Sequence, residues 1–194
     1  MNRSPGRDAP EGTRVYTRLG DDGTTGMLFG GRLSKADLTV GAYGTVDEAG
    51  AALGVARADC GVPELAQIIL SLQRDLFVVA ADLACNMRQR QRLRPRVSLV
   101  VSEMITGLER TIDTVVAEHP LRPVFVVSGA NSASAALDLA RTIVRRAERE
   151  TIQVQQLRGG VNPLVVTYLN RASDLVYVLA RWAAAGSEEM ASHF

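Results

Sequence analysis

Apolar residues recur at helical spacing in five blocks of about twenty residues, and only short joints separate them. The first block, 37–59, takes Asp37 as its N-cap and turns Val40, Tyr43, Val46, Leu53 and Val55 to its apolar side. Gly41, Gly44, Gly50 and Gly54 weaken it by up to about 1 kcal/mol each relative to alanine, and their repetition predicts close approach of another backbone or a ligand. Asp47 and Glu48 fall mid-helix, where a buried Asp47 needs a cationic partner. Pro63 and Glu64 open the second block, which runs to about Cys85; proline suits a first helical turn and an acid suits its dipole. The third block, 98–118, has Ser98 as its cap and ends at His119 and Pro120. The fourth, 132–157, is closed by the glycines at 159 and 160, and Asn162 with Pro163 caps a fifth that continues to about Ala185. These blocks predict an all-α, five-helix up-and-down bundle in a ferritin-like arrangement. The bundle spans 37–185, preceded by a flexible tail at 1–14 and a loop at 15–36, and followed by a tail at 186–194.

Composition narrows the function by exclusion. A net charge of +1 gives no reason to expect a nucleic-acid or membrane partner. No apolar run approaches the roughly 20 residues that cross a bilayer, and the polar amino terminus lacks a signal-peptide core, so a cytoplasmic location is expected. Cys60 and Cys85 are too few and too far apart for a disulfide framework or a zinc site. With only His119 and His193, neither an imidazole metal centre nor a Ser-His-Asp triad is supported. Residues 86–97 alternate arginine with other side chains, a pattern of an edge strand, an extended basic arm or, more simply, a solvated loop. They lack the interleaved aromatics of a nucleic-acid binder.

Two stretches carry chemistry. Arg141 to Glu150 holds four arginines and two glutamates; on a helix Arg141, Arg145, Glu148 and Arg149 share a face, with Arg146 turned about 100° from Arg145. Three guanidinium groups beside one carboxylate suit a triphosphate, although a solvated face laced with ion pairs has the same pattern. The loop at 15–32 contains five glycines and three threonines with little periodicity, and Arg18, Arg32 and the nearby Lys35 add positive charge for wrapping phosphates. It is not a Walker loop. On the fifth helix Asn170 and Asp174 share a polar side with Arg171. Such a set positions and neutralises phosphates better than it moves protons, and it suits a substrate that brings its own nucleophile.

Four segments then carry a resemblance: Y-T-R-L-G-D-D-G-T-T-G at 16–26, Y-G-T-V-D-E at 43–48, A-R-x-x-x-R-R-A-E-R at 140–149, and Y-L-N-R-A-S-D-L-V at 168–176. In order and separation they resemble the PduO-type corrinoid adenosyltransferases from about residue 15 to 183. The resemblance implies transfer of the 5′-deoxyadenosyl group of ATP to the cobalt of cob(I)alamin, giving adenosylcobalamin and triphosphate, with Mg²⁺ accompanying the phosphates. It implies a homotrimer with ATP between neighbouring subunits, and a cobalamin reductase or an acceptor mutase as a candidate partner. By the same resemblance Thr17, Arg18, Gly20 and Thr25 fold over the triphosphate and Lys35 reaches a phosphate. Arg145, Arg146 and Arg149 hold ATP with Glu148 beside them, and Arg145 pairs with Asp47 across the subunit boundary. Asn170 contacts ATP, Arg171 and Asp174 shape the same site, and Phe125 lies below the corrin ring, excluding water or a base from cobalt. The chain departs from the family pattern at Leu19 (a threonine), Gly41 (a glutamate), Gly50 (an asparagine), Ser128 (within a proline-glycine turn) and Asp138 (a histidine). The alternative these departures suggest is a relative that binds ATP or corrinoid without transfer, or that uses another acceptor.

Overall fold

The computed structural model describes residues 16–192, so the expected tail at 1–14 and His193 lie outside the described residues. Five α-helices form the body: α1 (Leu38–Ala58), α2 (Pro63–Leu83), α3 (Ser102–Glu118), α4 (Ser132–Arg158) and α5 (Pro163–Ala184). The fold is the expected helical bundle, with one addition. The glycine-threonine loop, read as lacking periodicity, carries a small antiparallel hairpin of β1 (Thr24–Gly26) and β2 (Arg32–Ser34).

Caps written into the sequence set most helix ends. Asp37 accepts from the Thr39 N–H at 2.8 Å, Asn131 and Ser134 form a reciprocal capping box, and Asn162 accepts from the Leu164 N–H. Gly159 and Gly160 turn the chain from α4 to α5 at φ of 69° and 72°, and a Cβ on Gly160 would run into Met87. Ser98 does not cap α3; its hydroxyl accepts from the Arg94 N–H instead, and α3 begins after Val101 without a side-chain cap.

Direction alternates along the chain. α1 and α4 lie antiparallel and make the most extensive helix contact, joined by Thr45 donating to Glu150 (2.6 Å), Arg146 to Glu48, and Arg158 to both carboxylate oxygens of Asp37 (2.6 and 2.8 Å). α5 packs on α4, and α3 runs parallel to α5 along its other side, so that His119 at the end of α3 stacks on Trp182 near the end of α5 (centroids 4.4 Å). Between them lies one apolar core, with Val46, Leu53, Ile69, Leu137, Leu169 and Leu179 fully covered.

Two expectations, one for α1 and one for the segment after α2, are corrected. Val55 is 63% exposed because the core face runs through Ala42, Val46, Ala49, Leu53 and Ala56. Asp47 is exposed, and among the described residues a Cβ added at Gly41, Gly44 or Gly50 would meet nothing within 4 Å, so the outward side of these glycines is open. Residues Met87–Arg92 form a 3₁₀ helix, neither an edge strand nor a plain loop, since two of its arginines have inward partners. Arg90 donates to Asp82 at 2.6 Å, and Arg92 lies over the Phe29 ring at 4.3 Å. No helix among the described residues is long and apolar enough to cross a membrane.

Asp82 is 1% exposed and joins four elements. Besides Arg90, it accepts from the Val100 N–H (3.0 Å) ahead of α3 and from Asn162 Nδ2 (2.9 Å) at the start of α5. Removing one partner of a buried ionic cluster leaves the others desolvated and unpaired. Asp82→Ala is therefore expected to lower unfolding free energy by about 3 kcal/mol, read as a shift of the urea midpoint with an unchanged slope.

Candidate functional site

The residues singled out from the sequence fall into three groups. The first lies on the outer face of α1, α4 and α5. Arg145 and Arg149 are exposed one helix turn apart, and Arg149 Nη1 donates to the Arg145 carbonyl at 3.1 Å. Among the described residues neither the Arg145 side chain nor that of Asp47 has a hydrogen bond or an ion pair. Arg146, turned away as its position on the helix requires, pairs with Glu48 on α1. Arg141 is drawn out of the arginine face by Asp138, 3.9 Å away. Glu148 accepts from Asn170 Nδ2 at 3.1 Å, so the fourth and fifth helices meet at these two residues. Arg171 pairs with Asp174 (3.0 Å), as their spacing of three allows, and with Glu109 of α3 (3.1 Å). Glu109 was not legible as a site neighbour, because an interhelical partner leaves no spacing signal.

Beside Asp47 lies a hollow of about 240 Å³ lined by Val46, Gly50, Gln73, Leu76 and Phe77, with the Phe77 ring 73% exposed. A carboxylate without a partner among the described residues and an exposed aromatic ring thus border one hollow between α1 and α2.

The second group is the loop. Lys35 Nζ lies against Gly20, 3.2 Å from where a Cβ would stand, so glycine there admits the ammonium group. Thr17 accepts from the Leu19 N–H, Arg18 adopts a φ of 61° with its guanidinium over the Tyr16 ring, and Thr25 is paired with Leu33 in the hairpin. Arg32, expected to wrap phosphate, is instead an internal strut: it donates to Thr24 Oγ1 (2.8 Å) and to the Leu19 carbonyl, with Asp22 at 3.6 Å. The hydroxyl and N–H of Thr24 hold the Asp22 carboxyl below its usual range. Leu28 bridges to Cys85, and Asn86 Nδ2 donates to the Gly30 carbonyl at 2.8 Å, hanging the loop from the end of α2.

Phe125 stands apart from both groups, in the segment between α3 and α4, and its side chain is 88% exposed. The loop hangs at the end of the bundle where α5 begins, and Phe125 pairs with residues beyond the end of α5. A helix of 22 residues spans about 33 Å. No hydrogen bond or ion pair among the described residues joins the loop to the arginine face or either one to Phe125.

Fold and site together define a helical-bundle protein with a cationic face and a glycine-threonine loop suited to a polyanion. Its sequence profile is that of the cobalamin adenosyltransferases, matched over residues 15–183, and the chain belongs to this family. A corrinoid adenosyltransferase of Citrobacter freundii is 41% identical over 171 residues, covering 87% of this chain and 93% of the relative. One from Mycobacterium leprae is 39% identical over 180 residues, covering 91% and 94%. Among solved structures, a variant PduO-type ATP:corrinoid adenosyltransferase from Lactobacillus reuteri, complexed with cobalamin and ATP, superposes with a TM-score of 0.82. It is 28% identical and covers 91% of this chain and 97% of that one.

Arg149 offers a charge-assisted donor set to an anion and supports little of the fold, being exposed. Arg149→Ala is expected to raise the KM for ATP at least about tenfold while leaving the melting temperature within a few degrees of the parent, as steady-state kinetics and a thermal melt would show.

Proposed function

We infer that this chain is an ATP-dependent corrinoid adenosyltransferase, moving the 5′-deoxyadenosyl group of ATP onto the cobalt of a reduced corrinoid. The observation that carries the reading is the likeness, over 91% of the chain, to a structure holding both cobalamin and ATP. The side chains agree with it. Co(I) is its own nucleophile: as the cobalt–carbon bond to C5′ forms, the C5′–O bond breaks and triphosphate leaves with the electron pair. No protein base is required, and no serine-histidine or paired-carboxylate device is needed. The demand falls on positioning and on charge developing at the leaving oxygen.

Arg145 and Arg149 meet that charge from the helical face, Lys35 and Arg18 from the loop. Thr17, Gly20 and Thr25 supply hydroxyl and backbone N–H donors. Asn170, with its amide nitrogen held by Glu148, keeps its oxygen as an acceptor for the nucleoside. Arg146 reaches the nucleotide only by sharing its guanidinium with Glu48, while Arg171 and Asp174 brace the wall through Glu109. Phe125 offers an apolar ring to the lower face of the corrin, excluding water there. Among the described residues no three His, Cys, Asp or Glu side chains converge to hold a metal. Mg²⁺ enters with the substrate as MgATP, bound largely through phosphate oxygens.

A site drawing on the loop and on Phe125 needs more than one copy of this chain, since the two lie at opposite ends of a bundle about 33 Å long. A homotrimer with ATP at each boundary satisfies this. It also supplies Asp47 with a partner in the neighbouring subunit's arginine face, and gives Phe77 and the bare glycines of α1 a surface to cover.

With ATP and cobalamin reduced anaerobically, the spectrum of the alkyl-cobalt product should grow in step with triphosphate; ATP binding without product would leave a binding relative and end the transferase reading. Asp47→Asn is expected to weaken assembly, shifting sedimentation from trimer toward smaller species at micromolar concentration. A fully trimeric, fully active variant would refute the pairing.

A further inference from the structure

The strongest side-chain cluster outside the arginine face sits behind Phe125. Its ring has no packing partner, and its place is set by the backbone alone: the Phe125 carbonyl accepts from the Ala191 N–H at 2.8 Å, and the Val127 N–H donates to the Glu189 carbonyl at 2.9 Å. Phe125 is therefore held only as firmly as residues 188–191. Those residues follow the last helix and have no helix of their own.

They are anchored by charge. Glu188 has a side chain only 6% exposed, with Oε1 3.8 Å from Arg181 Nε, and Arg122 donates to its carbonyl at 3.5 Å. Arg181 is 10% exposed and donates to Asp138 at 2.5 Å, with its guanidinium 5.3 Å from the Tyr177 ring centroid. Asp138, 5% exposed, is itself 3.9 Å from Arg141 on the arginine helix. Packing does not duplicate this anchor. A cavity of about 260 Å³, lined by Val124, Val126, Arg181, Trp182 and Glu188, lies directly behind the segment that carries Phe125, so there is little apolar filling to hold it. The Arg181 Nε is buried there without a hydrogen bond. A buried arginine is tolerated only beside carboxylates, and Asp138, one of the departures noted above, supplies one.

We propose that Arg181, clamped between Asp138 and Glu188, is a positioning residue that fixes Phe125 against the corrinoid through residues 188–191. The proposal rests on the reading of Phe125 as the corrin contact. It predicts a defect specific to the corrinoid. The nucleotide side, which the clamp touches only through Arg141, is left unchanged.

Glu188→Gln tests it, because it cuts the charge with little change of volume and lies outside the helices. Asp138→Asn combined with Arg181→Gln removes both halves of the closest ion pair and, by taking Arg181 away from Glu188, releases the same anchor from the helix side. In either variant, amide hydrogen exchange at Val127 and Ala191 should accelerate about tenfold with the five helices unchanged. The KM for the corrinoid should rise roughly five- to tenfold with the KM for ATP unmoved, since small misplacement of a positioning group is costly. In a Phe125→Ala background, Glu188→Gln should have no further effect on the corrinoid KM, because the group it positions is gone. Unchanged exchange at Val127 and Ala191, equal shifts in both KM values, or effects that multiply in the double variant would each overturn the proposal. If the parent chain transfers no adenosyl group, the functional reading fails on its own, and the exchange measurement still decides whether the clamp holds Phe125.

Discussion

A carboxylate taken out of water must be surrounded by donors, and in this molecule that requirement organises one whole end of the bundle. Asp82 is enclosed by a guanidinium, a backbone N–H and a side-chain amide, brought by the 3₁₀ helix, the entry to α3 and the cap of α5. Each of those elements would otherwise be free to settle elsewhere. Asn162 does two things at once, capping α5 with its oxygen and binding Asp82 and the Val100 carbonyl with its nitrogen. The 3₁₀ helix in turn carries Arg92 to Phe29, and the residue ahead of it, Asn86, to Gly30. The glycine-threonine loop is suspended from the same structure that closes the core.

The helices were legible because their signals are local. Spacing near 3.6 residues and the signals at Asp37, Pro63 and Asn162 act within a turn or two of where they are read. What escaped depends on distant partners. The alternating arginines of 86–97 form a 3₁₀ helix only because Asp82 and Phe29 wait for two of them, and Ser98 is diverted from capping by the Arg94 N–H. Val55 had the right chemistry for the core but the wrong angle, being two residues beyond Leu53 on a helix whose buried stripe is half alanine.

The site was legible to a similar depth. Shared faces foretold that Arg145 and Arg149 would stand together, whereas the pairing of Arg171 with Asp174 emerged only in the structure. Motif likeness alone reached Phe125, whose neighbours in sequence give no hint of an exposed ring. No pattern distinguished Arg32, which is hydrogen-bonded and ion-paired inside the loop, from Arg18 and Lys35, which form no ion pair among the described residues. Likewise nothing marked Arg141 for removal from the arginine face, since that depends on Asp138 being turned inward by Arg181.

The internal strut at Arg32 has an effect on the thermodynamics of ligand capture. Fixing the backbone of one residue costs about 1–2 kcal/mol in lost conformational freedom. A glycine-threonine loop that ordered itself only around its ligand would charge that loss against affinity. Here the β1–β2 pairing, the Arg32 contacts and the suspension from Asn86 meet the cost at folding. On the proposed reading, a triphosphate meets this loop as a largely preformed receptor, with a modest entropic penalty.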